Sequence, residues 1–284
     1  MRLGFHLSIA GGYTRALDQA LALGCQALQI FLQNPRSWKW REPAPRDIRQ
    51  FIQARHRSGL GPLVVHLGYL PNLAAAEPGL YRLSVTRLHG ELALARDLEA
   101  DYLAVHPGHG VPGPASLARV ARALAQAVAA VPPPPLLLLE NTAGQGRELG
   151  WRVGHLKDIM ALSGVPLGLC LDTSHAFAAG YDLASAGGAG RLLGEIAAGL
   201  GLDRLKILHL NDSKGALASR LDRHMHLGLG AIGLPGFRQF FSHPGLKAEA
   251  AIMETPRRHQ ADEWRNLITA RSLLSGQALL PGPW

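Results

Sequence analysis

The 284 residues are 47% hydrophobic and only 18% charged, a globular composition that excludes a disordered or fibrous chain. No apolar run approaches the roughly 18 residues of a membrane span, and the opening MRLGFHLSIAGG has no basic stretch leading into a long apolar one, so neither a membrane helix nor a signal peptide is expected. The net charge of +8 favours an anionic partner, nucleic acid first, although only five lysines among 29 basic residues equally suits a GC-rich genome.

Eight apolar, strand-like runs follow one another: Leu3–Ile9, Ala27–Leu32, Leu63–Leu67, Tyr102–His106, Leu136–Leu139, Leu167–Leu171, Leu205–Leu210 and Ala250–Met253. Between them lie Ala-, Leu- and Arg-rich segments long enough for helices: Thr14–Leu23, Ala44–Ser58, Leu83–Leu98, Pro114–Ala130, Val153–Leu162 and Ala189–Gly199, with Asp262–Ser275 after the last strand. Strand–helix alternation repeated eight times predicts a parallel sheet closed into a single-domain (β/α)8 TIM barrel over 1–284. An open doubly wound sheet is disfavoured because no Gly-rich phosphate loop follows the first strand; Gly11-Gly12 alone is too weak. Cys25 and Cys170 both sit in apolar runs and read as buried, reduced thiols of a cytoplasmic protein, without a disulfide framework or metal-ligand spacing.

Active sites of this fold lie at the C-terminal ends of the strands. There the third strand ends at His66, the fourth at His106 and the fifth at Glu140. The sixth ends at Asp172 with His175 close behind, and the seventh at His209 with Asp222 and His224 beyond. The eighth ends at Glu254. Imidazoles and carboxylates are the ligand types of zinc and its neighbours, and nine in register at the ends of six strands point to a cation site.

At these residues the chain resembles the endonuclease IV family of metal-dependent apurinic/apyrimidinic endonucleases. The matching stretches are FLQNPRSW (31–38), HLGYLPNLA (66–74), HPG (106–108), LENTAGQG (139–146), CLDTSHAFAAGYD (170–182), HLNDSK (209–214), SRLDRHMHLGLG (219–230) and METP (253–256). The resemblance implies a DNA-repair hydrolase with about three zinc ions per chain, one of them replaceable by manganese. Hydroxide on that centre would cut 5′ to an abasic site in duplex DNA, leaving a 3′-hydroxyl and a 5′-deoxyribose phosphate. His66, His106 and Glu140 would hold one metal; Glu140, Asp172, His209 and Glu254 a second; His175, Asp222 and His224 the third, with His226 an outer neighbour. Glu140 would be the catalytic bridge, and Arg36, Tyr69 and Leu70 would enter the DNA. Pro35, Pro71 and Ser174 depart from the family pattern without removing a ligand. The rival readings are a metal-dependent sugar isomerase or epimerase on the same barrel and a non-catalytic damage-binding barrel. No obligate protein partner is expected, and a monomer is the default.

Overall fold

The computed structural model describes residues 1–257 and 259–277. Its strands are β1 (Arg2–Leu7), β2 (Ala27–Ile30), β3 (Leu63–His66), β4 (Tyr102–Val105), β5 (Leu136–Glu140), β6 (Gly168–Asp172), β7 (Leu205–His209), the two-residue β8 (Asp212–Ser213) and β9 (His224–Met225), and β10 (Ala250–Met253). The helices are α1 (Tyr13–Ala22), α2 (Pro45–Ser58), α3 (Pro78–Asp97), α4 (Pro114–Ala130), α5 (Val153–Ser163), α6 (Thr173–Ala179), α7 (Gly188–Gly199), α8 (Gly233–Phe241) and α9 (Gln260–Ser275). Eight strands pair in parallel in the order β1-β10-β7-β6-β5-β4-β3-β2, and β1 closes the ring by pairing with both β2 and β10.

These strands are short and apolar on both faces because helices cover the outside while side chains fill the inside. The outward residues, among them Phe5, Leu28, Val65, Val105, Leu139, Leu171 and Leu208, join the helices in one large core. The inward layer is small and separate: Ala27, Val64, Ala104, Leu138, Cys170, Ile207, Ala250 and Ile252. Gly4 completes it on β1, where a Cβ would lie 2.1 Å from the Ala27 carbonyl oxygen, so only glycine lets the closing strands approach.

The structure departs from the sequence reading in a few places. α3 starts five residues earlier than Leu83, because Pro78 presets the first turn and the Glu77 carboxylate accepts from the amides of Gly79 and Leu80. Sequence reasoning missed α6, α8 and the β8–β9 pair. No helix among the described residues is long and apolar enough to cross a membrane.

Candidate metal centre

Strand alternation builds the site. Two residues beyond each member of the inward layer, a side chain points inward again. Counting from Gly4, Ala27, Val64, Ala104, Leu138, Cys170, Ile207 and Ile252 gives His6, Gln29, His66, His106, Glu140, Asp172, His209 and Glu254. Every barrel strand therefore contributes one polar residue to a ring above the apolar plug. His175 joins from the first turn of α6, Asp222 from loop 214–223 and His224 from β9.

Glu140, fully buried, lies at the centre of the network. Its Oε2 is 3.0 Å from His66 Nε2 and 3.2 Å from His106 Nε2, and its Oε1 is 2.9 Å from His209 Nδ1 and 3.5 Å from His175 Nδ1. Glu254 Oε2 lies 3.5 Å from His209 Nδ1. Asp222 Oδ1 is 3.2 Å from His175 Nε2 and 3.5 Å from His224 Nε2, which is itself 3.6 Å from Asp172 Oδ2. All nine residues singled out in the sequence thus form one contiguous network.

Their grouping differs in part from the expected sets. Ligand atoms converge as His66–His106–Glu140, as His66–His209–Glu254, as Glu140–Cys170–His209 and as Asp172–His175–His224, so that Glu140 enters two of the sets and the Cys170 thiol lies beside one of them. Asp172 turns toward His175 because its carboxylate caps α6, accepting from the His175 amide at 2.7 Å, while Asn211 Nδ2 donates to its other oxygen at 2.7 Å. His226 faces away, 3.0 Å from Asn266 Nδ2 and 4.0 Å from Asp262 Oδ1.

Sequence reasoning missed the supporting residues. His6 Nδ1 lies 2.8 Å from Glu254 Oε1, to which Gln29 Nε2 also donates at 2.7 Å, and Gln29 Oε1 accepts from His209 Nε2 at 2.8 Å. Asn211 Nδ2 approaches Glu254 Oε2 at 3.5 Å. A glutamine inside the run ALQI was the available signal.

The donor set fits cations on an observation of its own. His66, His175 and His224 each place Nδ1 on a backbone carbonyl, those of Leu67, Asn141 and Glu254, at 2.7, 2.9 and 3.3 Å. A neutral imidazole held this way presents a lone pair at Nε2. Facing a carboxylate oxygen, that lone pair needs a proton or a metal ion between them. Among the described residues the buried Nε2 of His224 makes no hydrogen bond, although carboxylate oxygens of Asp222 and Asp172 stand 3.5 and 3.6 Å away. At His175 and His209 protons would do this work in the absence of metal. Burial alone would lower the His175 and His209 imidazoles, yet the surrounding negative groups, Asp172 foremost for His175, hold both well above their ordinary value. Burial would raise Glu140, but His209 and His106 hold it well below the usual carboxylate range. Divalent cations would replace those protons.

Two loops frame the mouth. Tyr69, 56% exposed, stands edge-on to Phe31 at 5.2 Å, and Phe31 packs edge-on to His66 at 5.7 Å. The Tyr69 amide donates to the Pro35 carbonyl at 3.0 Å, so the segment carrying Tyr69 and Leu70 is tied to the one carrying Arg36. Arg36 is exposed.

A closed parallel barrel with this ring at its C-terminal end is an enzyme-type scaffold, and the chain matches the xylose isomerase-like TIM barrel family over residues 17–273. Within that broad group the relatives are specific. A Thermus thermophilus protein named endonuclease 4 is 43% identical over 277 residues, covering 96% of this chain and 98% of its own. A Methanoculleus marisnigri protein named probable endonuclease 4 is 43% identical over 278 residues, covering 95% of this chain and 98% of its own. A crystal structure of endonuclease IV from Thermus thermophilus superposes with a TM-score of 0.88 at 42% identity, covering 97% of this chain and all of that one. The chain belongs to the endonuclease IV family. An L-ribulose 3-epimerase structure at 20% identity and TM-score 0.70 shares the fold alone.

Proposed function

We propose that this protein hydrolyses the phosphodiester on the 5′ side of an abasic site in duplex DNA, using a centre of three cations. Family membership makes it an endonuclease, a hydrolase. The observation that carries the finer reading is the network itself: Glu140 with an oxygen turned to each side, among four inward carboxylates and five imidazoles. His66 and His106 with Glu140 would hold one cation, and His209 and Glu254 with Glu140 a second, Asp172 standing between this set and the next. His175, His224 and Asp222, with Asp172, would hold the third. Zinc suits the imidazole-rich sets, and the His–His–Asp set also suits manganese.

When bound, such cations bring the pKa of water toward about 7 and offset charge on a phosphodiester. Three divalent ions exceed the four carboxylates in charge, leaving the surplus that an anionic substrate requires. The protein's own residues supply position. Glu140 fixes the separation of the sets, Gln29 orients His209 and Glu254, and the backbone carbonyls of Leu67, Asn141 and Glu254 aim three histidines inward. No serine or cysteine nucleophile is needed.

Selection of the lesion falls to Tyr69 and Leu70 on one tied loop and Arg36 on the other. An abasic nucleotide has lost its stacking, so extruding it costs less than extruding an intact one. Replacing Tyr69 with alanine should leave metal content unchanged and reduce the preference for abasic over intact duplex by roughly tenfold, the scale of one aromatic–base contact. Competition binding with the two duplexes measures this, and unchanged discrimination would place the wedge elsewhere.

The direct test is a duplex oligonucleotide carrying one stable abasic analogue. Cleavage immediately 5′ to the lesion, with a 3′ end that a polymerase extends, is expected from the monomer. A protein that leaves this duplex intact and instead epimerises a ketose would overturn the reading.

A further inference from the structure

Seven of the nine ligand-type residues stand on barrel strands, immediately past their ends or on the helix capped by one; His224 stands on the short β9, and Asp222 alone comes from an irregular segment. Residues 214–223, between β8 and β9, include no buried side chain, and Leu217 and Leu221 are exposed. Ala218 and Arg220 both adopt left-handed backbone, at φ 60° and 54°, a conformation that a non-glycine residue keeps only when its surroundings impose it. No hydrophobic anchor explains why Asp222 stays beside His175 and His224.

What holds the segment is polar and aromatic. The amides of Ala218 and Arg220 donate to the Phe177 and Ala178 carbonyls at 3.2 and 3.0 Å, at the C-terminal end of α6, the helix that bears His175; the Phe177 carbonyl also accepts from the Gly180 amide. The Asp222 amide donates to Gln145 Oε1 at 3.0 Å. Between these ties, the guanidinium of Arg220 lies over the indole of Trp151 at 3.5 Å, and Arg152 covers a Trp151 ring at 4.0 Å. Gly144 leaves the room: a Cβ there would lie 2.3 Å from Arg220 Nη1 and 2.9 Å from the Trp151 ring. Neither arginine has a carboxylate partner among the described residues, so the indole is the neighbour that fixes them.

We infer that Trp151 and Arg220 are positioning residues that dock the Asp222 segment and thereby complete the third cation position. This rests on the three-cation reading above. The stack lies two residues from Asp222, on the side where a strained, unburied segment would otherwise leave the site. Loss of the stack removes an interaction worth about tenfold in an equilibrium. The third cation then becomes the most easily lost, while the sets around Glu140, built on strands, keep theirs.

The test titrates metal-stripped full-length protein with zinc-buffered solutions and counts bound zinc by elemental analysis. Wild type should reach three ions per chain. Trp151→Leu and Arg220→Leu should hold two at the free zinc that saturates wild type and regain the third at roughly tenfold higher free zinc, whereas Trp151→Phe, which keeps a ring under the guanidinium, should behave as wild type. Asp222→Asn should show the same single-ion deficit, identifying which ion is lost. Arg220 is partly exposed, so its variant stays folded should the Trp151 variant not, and circular dichroism checks both. Three zinc ions bound with wild-type affinity by the leucine variants would overturn the inference. A wild-type count below three would overturn the three-cation reading and this inference with it, and the wild-type arm separates that outcome from the first.

Discussion

Glu140→Gln should leave binding of abasic duplex within about threefold of wild type while incision falls by about three orders of magnitude or more. Glutamine keeps the volume and one acceptor oxygen, so the barrel and the Tyr69 and Arg36 loops are undisturbed. It removes the one negative charge that His66, His106, His175 and His209 all face within 3.5 Å. Removing a single preorganised electrostatic group costs about 10²–10³ in rate. Glu140 touches two ligand sets at once, and members of such a unit act together rather than additively. Single-turnover incision and fluorescence anisotropy separate the two quantities. Near-normal cutting by the glutamine variant would remove Glu140 from the centre of the chemistry.

The legible part of the molecule follows from one periodicity. Runs such as Leu63–Val65 and Leu136–Leu139 are apolar on both faces because helices cover one side and the barrel plug the other. A polar residue that ends such a run therefore stands out, as His66, Glu140 and His209 do. His6 and Gln29 occupy equivalent positions two residues past the plug, yet they sit within their strands, where a polar residue reads as an interruption of the run. Only the closed ring shows that all eight strands deliver the same position inward. The helices α6 and α8 escaped for different reasons. α6 is buried at every position and so has no polar face to create a period, while GLPGFRQFF in α8 carries two glycines and a proline at its start. The side to which Asp172 turns was equally hidden, since it depends on the cap it makes for α6.

The same distribution explains why one barrel serves as both rigid frame and variable mouth. The ring, with Gln29 among its members, is fixed by strand register and by Asn211, which bonds Asp172 and Glu254, whereas Tyr69, Arg36 and Asp222 come from connecting loops. Loss of a loop residue should change which duplex or which ion is held. Loss of a ring residue should stop the reaction.

Removal of the cations should have the largest effect of all. After prolonged strong chelation, incision of the abasic duplex should fall to that of a protein-free blank and return on adding zinc or manganese. The protein should remain folded, because protons can stand in for the cations: His175 and His209, held well above their ordinary pKa by surrounding negative groups that outweigh the effect of burial, keep those groups partnered. It should nevertheless be less stable. A site filled at a hundred times its dissociation constant contributes about 2.7 kcal/mol, so three independent sites would contribute about 8. At about 2–4 °C per kcal/mol, the scale for chains slightly shorter than this one, melting should drop by more than about 10 °C. Calorimetry with and without restored zinc measures the drop, and elemental analysis confirms the stripping. Unchanged incision by protein shown to be free of metal would mean that the imidazoles and carboxylates around Glu140 act by acid–base chemistry alone, and the cation reading would have to be abandoned.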